Sequence, residues 1–264
     1  MEKKFLIIAG PCVLEDFDIA FYIAQVLKEL VQKYDFDYVF KASFDKANRT
    51  SLFSYRGPGL EKGLSWLEEI KKKAEVKITT DVHETWQVNP VSEVVDIIQI
   101  PAFLCRQTDL LVAASQTGKI INIKKGQFMS PWDMKYVLQK AQAFNPQEVL
   151  LTERGYSFGY RNLVVDFRSI PIMKNFGVRV IFDATHSVQL PGAGEGKSGG
   201  EREFIPYLIR AAVAVGADGI FMEVHPEPDK ALCDGPNSLP LAEVENILKQ
   251  IKDLRSVVEK YGIS

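Results

Sequence analysis

The sequence predicts an α/β fold: a single (β/α)8 TIM barrel that occupies residues 1–264 as one catalytic domain. Short apolar, β-branched runs recur along the chain, segments of helical periodicity lie between them, and each run ends in polar or turn-forming residues. Continuous apolar runs of this length suit strands buried on both faces, as in a parallel sheet. Strands alternating with helices close into a barrel whose active site sits at the C-terminal strand ends. The chain length of 264 residues matches one such domain.

The runs are residues 5–12 (FLIIAGPC), 38–44 (YVFKASF), 76–83 (VKITTDVH), 96–102 (DIIQIPA), 119–126 (KIINIKKG), 148–155 (EVLLTERG), 179–186 (RVIFDATH) and 219–226 (GIFMEVHP). After the first, Ile19, Ile23, Val26, Leu27, Leu30 and Tyr34 mark one face of a helix. Val244, Ile247, Leu248, Ile251, Leu254 and Val258 do the same near the C-terminus. Helices are expected around 62–73, 108–116, 133–144, 166–175 and 201–215, with only a short piece near 90–95 after the third run. Two segments exceed simple turns: 45–60, and the glycine-rich 187–200 (SVQLPGAGEGKSGG), expected to be mobile and to cover substrate. Within the latter, 192–198 (GAGEGKS) imitates the end of a phosphate-binding P-loop. The required first glycine falls at Pro191, and no tight strand-to-helix turn follows, so a lid is the better reading.

Composition narrows the function. A net charge of −2 lacks the basic excess of a nucleic-acid or anionic-membrane surface. No apolar stretch approaches the ~18 residues of a membrane span, and the N-terminal apolar run is too short for a signal peptide. Three scattered cysteines make no disulfide framework. The expected setting is cytoplasmic, with no nucleic-acid or membrane partner.

The strand ends carry Cys12, Lys41, Asp81, His83, Gln99, Lys124, Glu153, Arg154, Asp183, His186 and Glu223, where a purely structural barrel interior would place Val, Ile and Leu. Cys12, His186 and Glu223 end runs that adjoin in a closed barrel, and Asp234 lies just beyond. A thiol, an imidazole and two carboxylates suit a divalent metal ion such as Zn²⁺, Fe²⁺ or Mn²⁺. Taken singly, each is more simply a packed or hydrogen-bonded core residue; the grouping favours metal. Cys105 and Cys233 lack such company and read as inert, and His225 is given no role. Lys41, Lys46, Arg49, Arg106, Lys124, Lys125 and Arg154 gather cations at one rim, fit for phosphates and carboxylates.

Long motifs in order carry a family resemblance: IAGPC (8–12), KASFDKANR (41–49), ITTDVH (78–83), IIQIPAFLCRQTD (97–109), NIKKGQ (122–127), LTERG (151–155), NLVVDFR (162–168), FDATHSVQLP (182–191), KSGG (197–200) and EVHP (223–226). The chain resembles the 3-deoxy-D-manno-octulosonate 8-phosphate synthases over essentially its whole length. The resemblance implies condensation of phosphoenolpyruvate with D-arabinose 5-phosphate and water, for lipopolysaccharide (Kdo) biosynthesis. The related synthase of the aromatic pathway uses erythrose 4-phosphate and typically carries lysine-proline-arginine-threonine where this chain has Lys46-Ala47-Asn48-Arg49. Cys12 stands where a metal-independent branch has Asn, so the resemblance implies the metal-dependent branch, with Cys12, His186, Glu223 and Asp234 as ligands.

By the same resemblance, Lys41, Ser43, Lys46, Gln99, Ala102 (by its backbone), Lys124 and Arg154 bind phosphoenolpyruvate. Asn48, Arg49 and Thr50 hold the aldose and its phosphate, with Arg106 reaching in from a neighbouring subunit of a homotetramer. Lys46, Asn48, Asp81 and His83 are the implied catalytic residues. Departures are small: Asp16 and Thr50 stand where Ser is usual, and Cys233 adds a thiol beside Asp234 that makes oxidation sensitivity an expectation. Rival readings are the erythrose 4-phosphate enzyme, a Schiff-base aldolase using Lys41 or Lys124, and an inactive sugar-phosphate-binding barrel.

Overall fold

The computed structural model describes residues 3–194 and 197–261, with side chains outside 192–198. The barrel strands are β1 (Leu6–Gly10), β2 (Asp37–Lys41), β3 (Lys77–Asp81), β4 (Ile97–Ile100), β5 (Ile120–Lys124), β6 (Glu148–Glu153), β7 (Arg179–Asp183) and β8 (Gly219–His225). Each pairs in parallel with the next, and β8 closes on β1 with Leu6 opposite Gly219 and Gly10 opposite Glu223. Outside them run α1 (Phe17–Lys33), α2 (Leu60–Ala74), α3 (Thr85–Val94), α4 (Thr108–Gln116), α5 (Met134–Gln142), α6 (Ser169–Lys174), α7 (Ile205–Ala214) and α8 (Val244–Lys260). The predicted (β/α)8 barrel is the observed one.

Alternation along the strands builds two cores and places the site. Phe5, Ile7 and Ala9 face outward into the main core with the helices. Leu6, Ile8, Val39, Ile97, Leu150, Ile181 and Phe221 face inward and fill the barrel floor. Side chains repeat every second residue. The inward column therefore continues upward as Lys41 after Val39, Gln99 after Ile97, Thr152 after Leu150, Asp183 after Ile181 and Glu223 after Phe221. Asn122 and Lys124 follow Ile120 in the same way. On β1 this position is Gly10, where a Cβ would lie 2.0 Å from the Lys41 carbonyl oxygen, so only glycine fits.

Several local expectations are corrected. The buried line of α1 is Ala20, Ile23, Ala24, Leu27 and Val31, and Ile19 is more than one-third exposed. Two alanines let the helix lie close to the sheet, a signal that large apolar residues alone do not carry. Asp16 caps this helix as Ser would, accepting the Ile19 N–H at 3.0 Å. Helix α3 begins a turn and a half before the short 90–95 piece, because Gln87 Oε1 accepts the backbone N–H groups of His83 and Glu84 at 2.8 and 3.2 Å. The helix expected at 166–175 shrinks to α6, preceded by an unpredicted antiparallel pairing of Tyr156–Ser157 with Leu163–Val164. Gly159 and Arg161, both at positive φ, turn that ribbon. Within the segment 187–200, Gln189–Gly194 pairs antiparallel with Lys197–Gly200. Its expected mobility and the P-loop-like 192–198 fall largely outside the described residues. No helix among the described residues is long and apolar enough to cross a membrane.

Candidate active site

The upper inward column opens into a cavity of about 400 Å³ at the C-terminal end of the barrel. It brings together Lys41, Lys46, Asn48, Arg49, Thr50, Asp81, His83, Gln99, Ala102, Lys124, Arg154, His186, Glu223 and Asp234. Ser43 is buried behind it and donates its hydroxyl to Asp81 Oδ1 at 2.5 Å. Arg106 is exposed and lies outside the cavity. The wall also contains Pro101, Phe103, Leu104 and Pro191, together with Glu84, Gln127 and Gln189, to which the sequence assigns no individual role. Gln127 and Gln189 are uncharged and stand outside the strand ends proper. Their sequence signal is their place inside the NIKKGQ and FDATHSVQLP motifs.

Two buried ion pairs anchor the cations. Lys41 Nζ donates to Glu223 Oε1 at 2.6 Å and to the Cys12 carbonyl at 2.9 Å. Lys124 Nζ donates to Asp183 Oδ2 at 2.5 Å and sits 3.6 Å from the Phe221 ring centroid. Burial pulls the Lys124 amine below its usual range, although Asp183 opposes the shift. Burial likewise lowers Arg154. Arg154 Nη2 donates to Gln189 Oε1 at 3.1 Å, while its Nη1 has no partner among the described residues. An unpaired guanidinium edge in a cavity is an anion-binding group.

Glu223 also faces Lys46, at 3.6 Å. Burial alone would raise the Glu223 carboxyl, but Lys41, Lys46, His186 and Lys124 outweigh it and hold it well below the carboxylate range. Lys46 moves up: burial opposes its charge, but its neighbours Cys12, Glu223, Cys233 and Asp81 outweigh burial. Asp81 pairs with His83 Nε2 at 2.7 Å. There too burial is overcome, by His83, Lys46 and Lys41, and Asp81 stays far below its ordinary value.

The expected metal ligands come together as two triads that share Asp234: Cys12, Cys233 and Asp234, and His186, Glu223 and Asp234. Cys12 Sγ is 3.6 Å from Asp234 Oδ2, and His186 Nε2 is 3.7 Å from Glu223 Oε1 and 4.0 Å from Asp234 Oδ2. Glu223 Oε2 is buried without a partner among the described residues. Burial, then the neighbouring Cys233 and Glu223, push the Cys12 thiol well up. A thiolate there needs a strong cation, and a deprotonated thiol with an orphaned carboxylate oxygen is a donor set that a divalent ion satisfies.

Cys233 corrects the sequence reading of an inert thiol. Its Sγ is 2.8 Å from Cys12 Sγ and accepts from Arg49 Nη1 at 2.9 Å. The left-handed turn at Asp234 (φ 47°) brings this loop over the end of β1. Cys105 is buried in the main core as expected. His225 Nε2 lies 3.1 Å from Glu15 Oε1, a structural pairing.

The DAHP synthetase I family model matches residues 1–260. The chain is 59% identical to the 2-dehydro-3-deoxyphosphooctonate aldolase of Nitratidesulfovibrio vulgaris, covering 97% of this chain and 94% of that protein. Proteins of the same name from Desulfotalea psychrophila and Legionella pneumophila are 56% and 53% identical, covering 98% and 99% of this chain and 92% and 96% of theirs. The buried cations and carboxylates described above thus stand in a chain that belongs to the DAHP synthetase I family and, within it, to the 2-dehydro-3-deoxyphosphooctonate aldolases.

Proposed function

We propose that the chain joins phosphoenolpyruvate to D-arabinose 5-phosphate and water, giving 3-deoxy-D-manno-octulosonate 8-phosphate and inorganic phosphate for Kdo biosynthesis, as a metal-dependent transferase. The observation that carries this reading is the convergence, in one cavity, of buried cations with a thiol–imidazole–carboxylate donor set. The relatives' names favour it over the erythrose 4-phosphate reaction. Against a Schiff-base aldolase, Lys124 is clamped to Asp183 and Lys41 to Glu223, so neither presents a free amine nucleophile.

In the reaction the methylene carbon of phosphoenolpyruvate bonds to the aldehyde carbon, and the aldehyde oxygen gains a proton. Water adds to the carbon bearing phosphate, losing a proton, and the hemiketal phosphate releases inorganic phosphate by breaking carbon–oxygen. Lys41, Lys124 and Arg154, with Ser43, Gln99 and the Ala102 backbone, bind and orient phosphoenolpyruvate. Preorganised cations of this kind stabilise charge as it develops. Asn48, Arg49 and Thr50 hold the aldose, and Lys46 belongs with the groups that bind phosphoenolpyruvate. Asp81 and His83 line the gap between the substrates, where the protons move. Cys12, His186, Glu223 and Asp234 would hold the divalent ion. When bound, it supplies Lewis acidity towards a carbonyl oxygen or a water.

The chain is further read as a cytoplasmic homotetramer. Exposed aromatic side chains follow three successive strands at this rim: Phe103, Phe128, Trp132, Tyr136, Tyr156, Phe158 and Tyr160. Aromatic residues with an arginine, here Arg106, are the composition of an interface. Three buried free thiols suit a reducing compartment.

The test is product formation from phosphoenolpyruvate with each aldose, before and after chelation and with Mn²⁺ restored, alongside the mass in solution. Turnover with arabinose 5-phosphate that a chelator abolishes and Mn²⁺ restores is expected, from a tetramer. Full activity in metal-stripped protein defeats metal dependence. Equal use of both aldoses defeats the substrate assignment, and an active monomer defeats the role of Arg106.

A further inference from the structure

Lys124 and His186 belong to different walls of the cavity, yet both lean on a carboxylate given no role so far. Asp183 is the last residue of β7, fully buried, on the inward column above Ile181. Its Oδ2 accepts from Lys124 Nζ at 2.5 Å and lies 2.8 Å from His186 Nδ1. Its Oδ1 accepts the His186 backbone N–H at 2.9 Å and the Thr185 hydroxyl at 3.3 Å. With both oxygens engaged, little acceptor capacity is left for a ligand. Glu223 on the adjacent strand differs, since its Oε2 has no partner among the described residues. Of the two carboxylates, Glu223 is built to ligate and Asp183 to support.

An ionised carboxylate only accepts, so the imidazole nitrogen 2.8 Å away has to carry the hydrogen. In the competing arrangement Lys124 Nζ would donate to an Nδ1 lone pair from 3.5 Å, with that lone pair set against the Asp183 oxygen. With hydrogen on Nδ1, the neutral ring has its lone pair on Nε2, the atom that faces Glu223 and Asp234 at 3.7 and 4.0 Å. Resting on the metal-dependent reading above, we infer that Asp183 is a positioning residue: it locks His186 in the Nδ1–H tautomer and aims the Nε2 lone pair at Glu223 and Asp234. Partners of this kind change metal affinity by roughly 10–100-fold.

The direct readout is the ¹⁵N spectrum of histidine in metal-free protein. The chain has three histidines, so loss of one signal in His186→Gln assigns it. Recorded at a pH where the ring is neutral, wild type is expected to show a protonated Nδ1 and a bare Nε2, and Asp183→Asn a mixture of tautomers, because its amide can donate to Nδ1. An Nε2–H tautomer in wild type overturns the inference. The second readout is Mn²⁺ affinity by competition with a chromophoric chelator, expected about 10–100-fold weaker in Asp183→Asn. Unchanged affinity in a folded Asp183→Asn protein also overturns it. If that variant does not fold, the wild-type spectrum decides alone. A wild-type chain that binds no Mn²⁺ defeats the metal-dependent reading instead, and the tautomer spectrum separates that result from failure of the Asp183 contact.

Discussion

The two ends of this barrel carry similar charges to opposite effect. The N-terminal end also holds an open hollow, lined by Lys3, Glu148, Lys174, Arg179 and Asp218. Its charged groups close on one another. Arg179 and Lys3 pair with Glu148, and Lys174 donates to Asp218 and to the Gly216 carbonyl. Asp218 in turn accepts the Val180 N–H at 2.8 Å, so these charges tie off strand starts. At the C-terminal end, Arg154 Nη1, Arg49 Nε, Gln99 Oε1 and Glu223 Oε2 are buried without partners among the described residues. What separates a structural rim from a site is unfinished hydrogen bonding, not charge.

Removing one member of a buried pair is the harshest way to break this contrast. Glu223→Gln leaves Lys41 buried without its counterion, so stability should fall by about 3–5 kcal/mol and turnover should be lost. Urea denaturation of the variant measures the first, and a fully stable protein would show that Lys41 has other compensation. Arg49→Ala should cost less. A hydrogen bond to charge is worth about 1.5–3 kcal/mol, so aldose use should weaken by roughly one to two orders of magnitude while phosphoenolpyruvate binding changes far less. Among the described residues the polar partners of Arg49 are the Cys233 sulfur at 2.9 Å, the Leu232 carbonyl at 3.5 Å and the Asp234 carboxylate at 3.7 Å, and the guanidinium can turn from them to a phosphate. Steady-state kinetics with each substrate varied in turn sets the two effects apart; a loss confined to phosphoenolpyruvate would refute the division of the cavity.

At the opposite rim the expected outcome is purely structural. Lys174→Ala should lower stability by about 1 kcal/mol and leave both Michaelis constants unchanged. A kinetic defect there would erase the distinction between the two ends.

The smallest expected effect is a pH dependence. Burial opposes charge on both Asp81 and His83, but their hydrogen bond and mutual attraction win, lowering Asp81 and raising His83. The Asp81 contribution is present above its ordinary 3.8 and fades as pH falls towards its lowered value. That of His83 is complete below its ordinary 6.5 and fades as pH rises through its raised value. The pair therefore stabilises most between those two ordinary values, and His83→Gln should flatten the alkaline decline in melting temperature. An unchanged profile would assign that decline to other groups.

The strands were legible because a buried parallel sheet demands continuous apolar runs, and the barrel's chirality and closure follow from their number and the helices between them. The strand-end residues Lys41, Asp81, Gln99, Lys124, Arg154 and Glu223 were legible for the same reason: a polar group that terminates a buried run has nowhere to point but the rim. Ile19 fits the helical periodicity yet is exposed, because the buried face of α1 turns on Ala20 and Ala24 as well as on the large apolar residues. The ribbon at 156–164 escaped because its strands are two residues long, below any periodicity.

Sequence alone determined the closed barrel, the end that carries chemistry, and the residue types available there, since each depends on local periodicity and on what a buried column tolerates. Only the tertiary structure decided which of those groups have partners. Cys233 lies 221 residues from Cys12 in sequence, yet their sulfurs are in contact. Asp183 looks like any other strand-end carboxylate until Lys124 and His186 are seen to saturate it. Hydrogen-bond satisfaction is a property of distances between strands and loops, and no spacing along the chain encodes it.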